Sequence, residues 1–558
     1  MWNEDRSIGL VFNGEIYNFL ELRRHLETIG VSFRSRSDSE VILRAYEVWG
    51  IEVVKRLNGM FAFAIWDSRR KSLWLVRDRL GKKPLYYWYD PNRGILIFAS
   101  ELKALLVWPF VRREVDPEAL HCYLALGYVP APYSMVKGIK KLPAGHWLCY
   151  DGEKLELHRY WEVPTLGSWK ASLAEYRQAI RHAIEQAVAR RLISDVPLGA
   201  FLSGGIDSSI VVGVMSQLMK EPVRTFSAAF DVGSRSFKYN VDADTAELVS
   251  QMFRTHHTRL TIRPEDDVFN CLKQVVWHVD EPHANPTLVS TYLLARLIKA
   301  AGITVILSGD GGDELFGGYE RYLLDRYVTW LRRVPRPLRY ILRGVLAYAP
   351  DKAGRLLKAL EKADLPPRSP HWYMSWWEQF PPGERLDILA PSWREAVAAP
   401  YRCVQSVLNR ATTVNDQELL SYTDLVLWIA DESNMRIDKM CMAHAVEVRA
   451  PFLDYNLVEL AMSIPFTKKV TWIRAKHLLK ETFADLVPDV VLKRPKWGWF
   501  SPVFYWIRDL LWEEAKKLIL WLPETGIFTS RVSNLVVTYP PRYAQKIWSL
   551  MVFALWYQ

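Results

Sequence analysis

The stretch VPLGAFLSGGIDSSIVVGVMSQLM, Val196 to Met219, limits the fold of this chain more than any other. An apolar strand, a glycine turn and a helix in that order form the first unit of a parallel α/β sheet. A long amphipathic helix, SLAEYRQAIRHAIEQAVARRLIS, precedes it. VRTFSAAF, THHTRLTI and ITVILSGDGGDELFGG are read as further strands. Beyond residue 320 the pattern turns mainly helical and stays so to the C-terminus.

The turn itself carries chemistry. Leu202 to Ser209 (LSGGIDSS) lies where free backbone N–H groups and the helix dipole favour an anion. Gly204 and Gly205 let the backbone approach a phosphate, Ser203, Ser208 and Ser209 add hydroxyls, and Asp207 is placed to hold Mg²⁺ against the phosphates. No GK[ST] follows at the Walker spacing, so no lysine grips a terminal phosphate there. The loop suits a pyrophosphate that leaves as a unit, hence adenylation. The bland alternative is a glycine turn that only closes a βα unit.

Residues 7 to 165 read differently. FAFAIWD, SLWLVRD, PLYYWYD, GILIFAS and HWLCYDG are spaced like antiparallel strands. NFLELRRHLETIG and SEVILRAYEVWG are helical patterns closed by Gly30 and Gly50. An α+β domain over 1–165 and an α/β domain over 166–558 are therefore expected, as befits a chain of 558 residues.

Composition narrows the rest. No run of ~18 uncharged apolar residues marks a membrane span. The start, MWNEDRS, lacks the order of a secretion signal, so the cytoplasm is the expected compartment. Five cysteines (Cys122, Cys149, Cys271, Cys403, Cys441) make an odd count with no CxxC pair, against a disulfide framework or a zinc site. The net charge of +10 is densest over residues 331–362. The expectation there is a solvated helical hairpin whose apolar residues face a core; the alternative is a nucleic-acid or anionic-membrane patch.

SGGIDSS resembles the PP-loop of the ATP pyrophosphatases, and longer motifs narrow this to the glutamine-dependent asparagine synthetases. They are SGDGGDELFGGY (Ser308 to Tyr319), DKMCMAHAVEVRAPFLD (Asp438 to Asp454), KHLLKETFADLVPDVVLKRPKWGWFSP (Lys476 to Pro502), and RDRLGKKPLYY, FASELKALL and GYVPAPYSMVKGIKKLPAGH in the first domain. The resemblance runs from about residue 8 to about residue 510. It implies an N-terminal-nucleophile αββα glutaminase domain, here incomplete, followed by a PP-loop (adenine nucleotide alpha hydrolase-like) synthetase domain with a helical C-terminal part.

The implied activity is that of a carbon–nitrogen ligase: aspartate is activated by ATP to β-aspartyl-AMP, which ammonia attacks. ATP and Mg²⁺ are the implied cofactors; aspartate, ATP and glutamine or ammonia are the substrates, with no nucleic acid or membrane partner and a possible homodimer. By resemblance Asp207 and Asp313 hold the metal, Ser308 and Gly309 join the nucleotide loop, and Asp310 and Lys496 are catalytic. Asp438 and Arg449 are expected to contact aspartate, while Asp280 to Pro282 (DEP) is either a structural turn or a substrate contact.

NGEIYN implies an oxyanion hole from the Asn13 side chain and the Gly14 N–H, with Glu15 and Asp38 binding the amino group of glutamine. The family's terminal cysteine and its RGPD segment are absent, since position 2 is Trp. The expectation is that several dozen N-terminal residues are missing and that this chain uses ammonia. Val241 stands where an acidic residue is common, which keeps open a β-lactam-synthetase-like or polysaccharide- or peptide-modifying amidotransferase acting on another carboxylate. A non-catalytic scaffold is the third reading.

Overall fold

The computed structural model describes residues 1–165, 167–233, 236–263, 266–346, 350–413, 415–494, 501–537 and 543–558. Strands β1 (Ile8–Ile16), β2 (Gly59–Asp67), β3 (Ser72–Arg77), β4 (Tyr86–Asp90), β5 (Ile95–Ala99), β6 (Ile139–Lys141), β7 (His146–Tyr150) and β8 (Leu155–Arg159) build the first domain. They form two antiparallel sheets, ordered β1-β2-β3-β7-β8 and β5-β4-β6.

Alternation in β2 decides how these sheets stack. Phe61, Phe63 and Ile65 pack with Leu22, Leu26, Val41 and Tyr46 of the helices Phe19–Thr28 and Asp38–Trp49. Ala62 and Ala64 face Leu85, Tyr87 and Leu142 of the second sheet and its approach. Large side chains thus meet helices and small ones let two sheets close together. The outer face of the second sheet meets the short helix Leu102–Leu105 and, from the second domain, Met435. The helices, first sheet and second sheet stack as the sequence led us to expect, and the fourth layer is shared between domains.

The second domain holds β9 (Leu198–Phe201), β10 (Arg224–Phe230), β11 (His256–Ile262), β12 (Val305–Leu307) and β13 (Glu447–Arg449) in one sheet ordered β11-β10-β9-β12-β13. Every pairing is parallel. The amphipathic helix before β9 runs Leu173–Arg191 and starts on a capping box in which Ser172 and Glu175 bond reciprocally. A parallel sheet points its carboxyl ends one way, and the loops after β9 and β12 meet there.

The basic segment departs from expectation. It does form a helical hairpin, Arg336–Leu346 against Pro350–Ala363. In the first helix, however, Leu338, Tyr340, Ile341, Leu342 and Val345 are exposed, while Arg339 is the buried side chain. The second helix meets the expectation, with Ala359, Leu360 and Ala363 packed on Val328 and Leu331, whereas the first is seated by Leu346 and by Arg339, which reaches the Leu331 carbonyl (3.2 Å) and Asp364 (2.9 Å).

The two domains are held by buried polar contacts. Arg77, at the end of β3, donates to the carbonyls of Lys83 (2.9 Å), Leu142 (2.9 Å), Gly81 (3.1 Å) and, across the interface, Ala430 (3.3 Å). Its guanidinium also stands 3.5 Å from the buried Asp431 carboxylate. Arg77→Ala removes a buried cation and strands Asp431, so unfolding free energy should fall by about 3–5 kcal/mol. Calorimetry should then show the two domains melting separately; a single transition at the original midpoint would contradict this.

Candidate active site

The loop after β9 is shaped by contacts a sequence cannot show. Gly204 has φ +66° and packs so closely on the Asp242 carbonyl that a side chain would collide with it. The Ser203 N–H donates to Ser208 Oγ (3.2 Å), while the Ser208 and Ser209 hydroxyls donate to the Gly205 carbonyl (3.1 and 2.8 Å). Gly205 caps the helix Ile206–Leu218 with no side chain, so its first N–H groups are left for a ligand.

A cavity of about 980 Å³ opens on this turn. Leu202, Ser203, Gly204, Gly205, Asp207, Ser208, Ser308, Gly309, Asp310 and Asp313 all line it. Ser209 is fully buried behind the wall. Two separate strand ends, β9 and β12, thus deliver the two expected metal-binding aspartates to one place.

A residue that the motif analysis left without a role sits between them. Lys476 Nζ binds Asp207 and lies 2.5 Å from Asp313, with its side chain almost fully buried. Gly312 and Gly318 back the pair, each so close to a carboxylate (Asp207 and Asp313 respectively) that a Cβ would overlap it. Two adjacent carboxylates in such a cradle, with room for phosphate oxygens, are the donor set Mg²⁺ favours, and the lysine cation holds that position here. The sequence did carry a hint. Lys476 begins the helix His477–Thr482, where the dipole disfavours a cation, so another charge must hold it there.

Asp310 reaches the cavity with Oδ2 buried and unpartnered. Nearby Glu314 is pushed up to about 8 by burial and by the charge of Asp313, and it accepts the Tyr319 hydroxyl at 2.8 Å. Lys496 lies outside the described residues. Arg494 binds Asp242 and donates to Thr245 Oγ1 (2.8 Å), and Lys480 lines the same cavity.

Asp438 and Arg449 are not brought to this cavity. Asp438 binds Lys83 of the first domain (2.7 Å), and burial of both draws them into the interface. Arg449 pairs with Glu447 (2.7 Å), donates to the carbonyls of Arg191 (3.0 Å) and Ile193 (2.6 Å), and stands 3.3 Å from Glu15. Both charges thus have partners across the domain interface, Lys83 and Glu15. In the DEP turn Asp280 is bound to Lys103 and Lys439 (both 2.7 Å) and Glu281 to Lys141.

In the first domain Asn13 and Gly14 lie side by side on β1, and Asn13 Nδ2 donates to Ser100 Oγ (3.2 Å). Asp38 accepts the Ile16 N–H (3.0 Å), fixing the end of that strand. Glu15 is pushed up to about 7 by burial, which outweighs the opposing charge of Arg449. Among the described residues no cysteine stands beside this floor: Cys149 is on β7, three strands from β1, and Cys122 is fully buried, which drives its thiol well above the usual range. Between the domains Tyr17, Met60, Lys82, Arg191 and Leu453 enclose a second space of about 10 Å³, room for one water-sized molecule. Lys82 there is driven below the ordinary lysine pKa by burial, partly offset by Asp310 and Asp438.

Comparison with known proteins finds relatives of both domains. A family model described as asparagine synthase matches residues 179–558, and one described as a glutamine amidotransferase domain matches residues 1–161. Asparagine synthetase [glutamine-hydrolyzing] 1 of Bacillus subtilis (strain 168) is 31% identical over 563 residues, covering 99% of this chain and 86% of the relative. A putative asparagine synthetase of Mycobacterium tuberculosis (strain ATCC 25618 / H37Rv) is 31% identical over 580 residues, 99% of this chain and 84% of its own length. The amidase chyE of Penicillium rubens is 27% identical over 570 residues, 93% of this chain and 80% of its own.

The ion cluster makes a direct prediction. Lys476→Met removes a buried cation that binds both Asp207 and Asp313, a loss of about 3–5 kcal/mol in the ligand-free protein. Urea unfolding should show that loss, and millimolar Mg²⁺ should restore part of it in the variant while leaving the unsubstituted chain nearly unchanged. A variant indifferent to Mg²⁺ would mean that the two aspartates do not form a divalent-cation site.

Proposed function

This chain belongs to the asparagine synthetase family, and from that premise we propose that it amidates the β-carboxylate of aspartate with ammonia, driven by ATP through an acyl-adenylate. One observation carries the reading. Asp207 and Asp313, from two different strand ends, converge beside an open helix N-terminus in the cavity that also holds Asp310.

The N–H groups of the Ser203 to Ser208 turn bind the phosphates of ATP and hold the departing pyrophosphate. Asp207 and Asp313 would hold Mg²⁺, which supplies charge neutralisation for that pyrophosphate. Lys476 is freed from its double ion pair when the carboxylates take another partner, and its cation then stabilises charge at the reacting phosphate. Asp310, with an oxygen that no protein group uses, orients ammonia and accepts a proton as the C–N bond forms. The nitrogen is read as ammonia for this chain and as glutamine-derived for the full-length protein, whose first domain is a glutamine amidotransferase domain.

A second reading, amidation of a larger carboxylate, is favoured by one feature. The cavity continues past the nucleotide turn to Trp376, Trp377, Trp428, Gln379 and Gln545. There the rings of Trp377 and Trp428 stack at 5.3 Å, and the indole nitrogens of Trp376 and Trp377 are buried without acceptors.

Pyrophosphate release measured with aspartate and with a panel of larger carboxylates separates the two readings. Asp207→Ala and Asp313→Ala should each abolish release. Lys476→Ala should lower kcat roughly 10²–10³-fold with a smaller effect on ATP binding. Lys496→Ala in parallel shows which lysine serves the reaction: a loss of kcat confined to Lys496→Ala would transfer the role. Assays with ammonium and with glutamine should give asparagine from ammonium alone, and glutamate release in proportion to purified protein would overturn the ammonia assignment.

A further inference from the structure

Between residues 331 and 364 nine basic side chains stand against three acidic ones, so this hairpin carries more than half of the net charge of +10. Within it, the helix Arg336–Leu346 repeats apolar residues at Leu338, Ile341, Leu342 and Val345. That spacing puts all four on one stripe. In a helix packed on its own protein such a stripe would be covered. Here Leu338 is 54% exposed, Ile341 61% and Val345 64%.

The opposite side of the helix is the anchored one. Arg339 is buried against Leu331 and Asp364, and Arg343 stands 3.4 Å from Glu361. The hairpin is therefore held to the protein by the apolar residues of its second helix, Ala359, Leu360 and Ala363, and by the arginines of its first, whose own apolar stripe is turned away. Arg333 and Arg336 have no side-chain hydrogen bond or ion pair among the described residues. Two unpaired cations beside an uncovered apolar stripe complement one kind of surface: an anionic interface with hydrocarbon just beneath it. A nucleic acid would satisfy the arginines and leave the stripe in water.

We propose that the helix Arg336–Leu346 docks this protein in the plane of an anionic lipid surface. No described helix is long and apolar enough to cross a membrane, so the attachment is peripheral. One helix of 11 residues gives weak, reversible binding that needs both the apolar stripe and the charge. The preceding helix Glu320–Leu331 spans about 18 Å from the rim of the large cavity, where Tyr319, Glu320 and Arg321 stand, to the hairpin. Trp330, 54% exposed, lies at its hairpin end. Docking would thus hold the cavity close to the lipid surface.

Sedimentation of the full chain with vesicles tests this. Vesicles of phosphatidylglycerol with phosphatidylcholine should carry the protein down, and phosphatidylcholine alone should not. Arg333→Glu with Arg336→Glu should cut partitioning by about tenfold, and added salt should weaken binding of the unsubstituted chain. Ile341→Ser with Val345→Ser should lower partitioning to a similar extent while ATP-dependent pyrophosphate release stays unchanged, showing that the fold is intact. Equal sedimentation with neutral vesicles, no sedimentation with either, or indifference to both pairs of substitutions would overturn the proposal. So would self-association in sedimentation velocity that the same serine substitutions abolish, since the stripe would then be covered by a second copy. Binding to RNA that outcompetes the vesicles would overturn it as well.

Discussion

A row of buried acids on one helical rod ties the molecule together. The helix Asp416–Thr423, the wide-turned π-type segment Asp424–Ser433 and the helix Asn434–Met442 follow without a break. Asp424 takes Arg321 (2.7 Å) and the hydroxyls of Tyr322 (2.5 Å) and Tyr373 (2.8 Å). Asp431 faces Arg77 and accepts the Ala131 N–H (2.8 Å), Glu432 accepts from Asn285 (2.6 Å) and Arg436 (3.1 Å), and Asp438 binds Lys83. The wide turn lets the consecutive Asp431 and Glu432 serve the first domain and the cavity wall respectively. Such pairs add little net stability, since desolvation offsets attraction, but any misplaced pairing would strand a charge. They fix the register of two domains against each other.

On the other side of that interface, the turn Asp78 to Lys83 is rigid for a reason internal to it. The Asp78 carboxylate accepts the N–H groups of Phe61, Leu80, Lys82 and Lys83 at 3.0–3.2 Å. Burial still raises its pKa, which shows how dry the site is. Two adjacent lysines emerge from this turn with opposite fates. For Lys83, burial opposes the charge, but Asp438 and Glu447 outweigh it and hold the pKa above the ordinary lysine value. Lys82 has no such ion pair among the described residues and shifts the other way, burial outweighing Asp310 and Asp438. One residue of separation therefore sets the two ammonium groups on opposite sides of the ordinary lysine value, at the space between the two candidate sites.

What was legible in the sequence follows from what is local. The Phe/Ala alternation of FAFAIWD names both faces of β2, and the glycine turn between strand and helix names the anion site, because each is decided within a few residues. That Asp207 and Asp313 end in one cavity is a matter of the sheet, and their metal role rests on the resemblance. The partners of Lys476, Asp438 and Arg449 were not legible, since they lie more than a hundred residues away: Lys476 binds Asp207, Asp438 binds Lys83, and Arg449 stands beside Glu15. The basic hairpin falls between these cases. Its amphipathic period was readable, but which stripe is covered depends on where Arg339 finds its acid, and Asp364 lies beyond that helix.

Arg449 shows what such long-range pairing does for the whole molecule. Its carbonyl accepts the Ser308 N–H (2.9 Å), at the start of the turn that carries Asp310 and Asp313, while its guanidinium stands beside Glu15 on the floor formed by Asn13 and Gly14. A single residue of β13 therefore bonds, through its backbone, the start of the Ser308 to Asp313 turn and lies, through its side chain, beside the floor of the first domain. Because Glu15 is poised at about 7, its carboxyl is divided between charged and neutral forms near neutral pH. Protonation there, or a cationic ligand taking the carboxylate, removes one of Arg449's two acidic neighbours and leaves Glu447 as the other. Any preference of the Ser308 to Asp313 turn for one position of β13 must then act back on the charge of Glu15 by an equal free energy, since coupling between two sites is reciprocal.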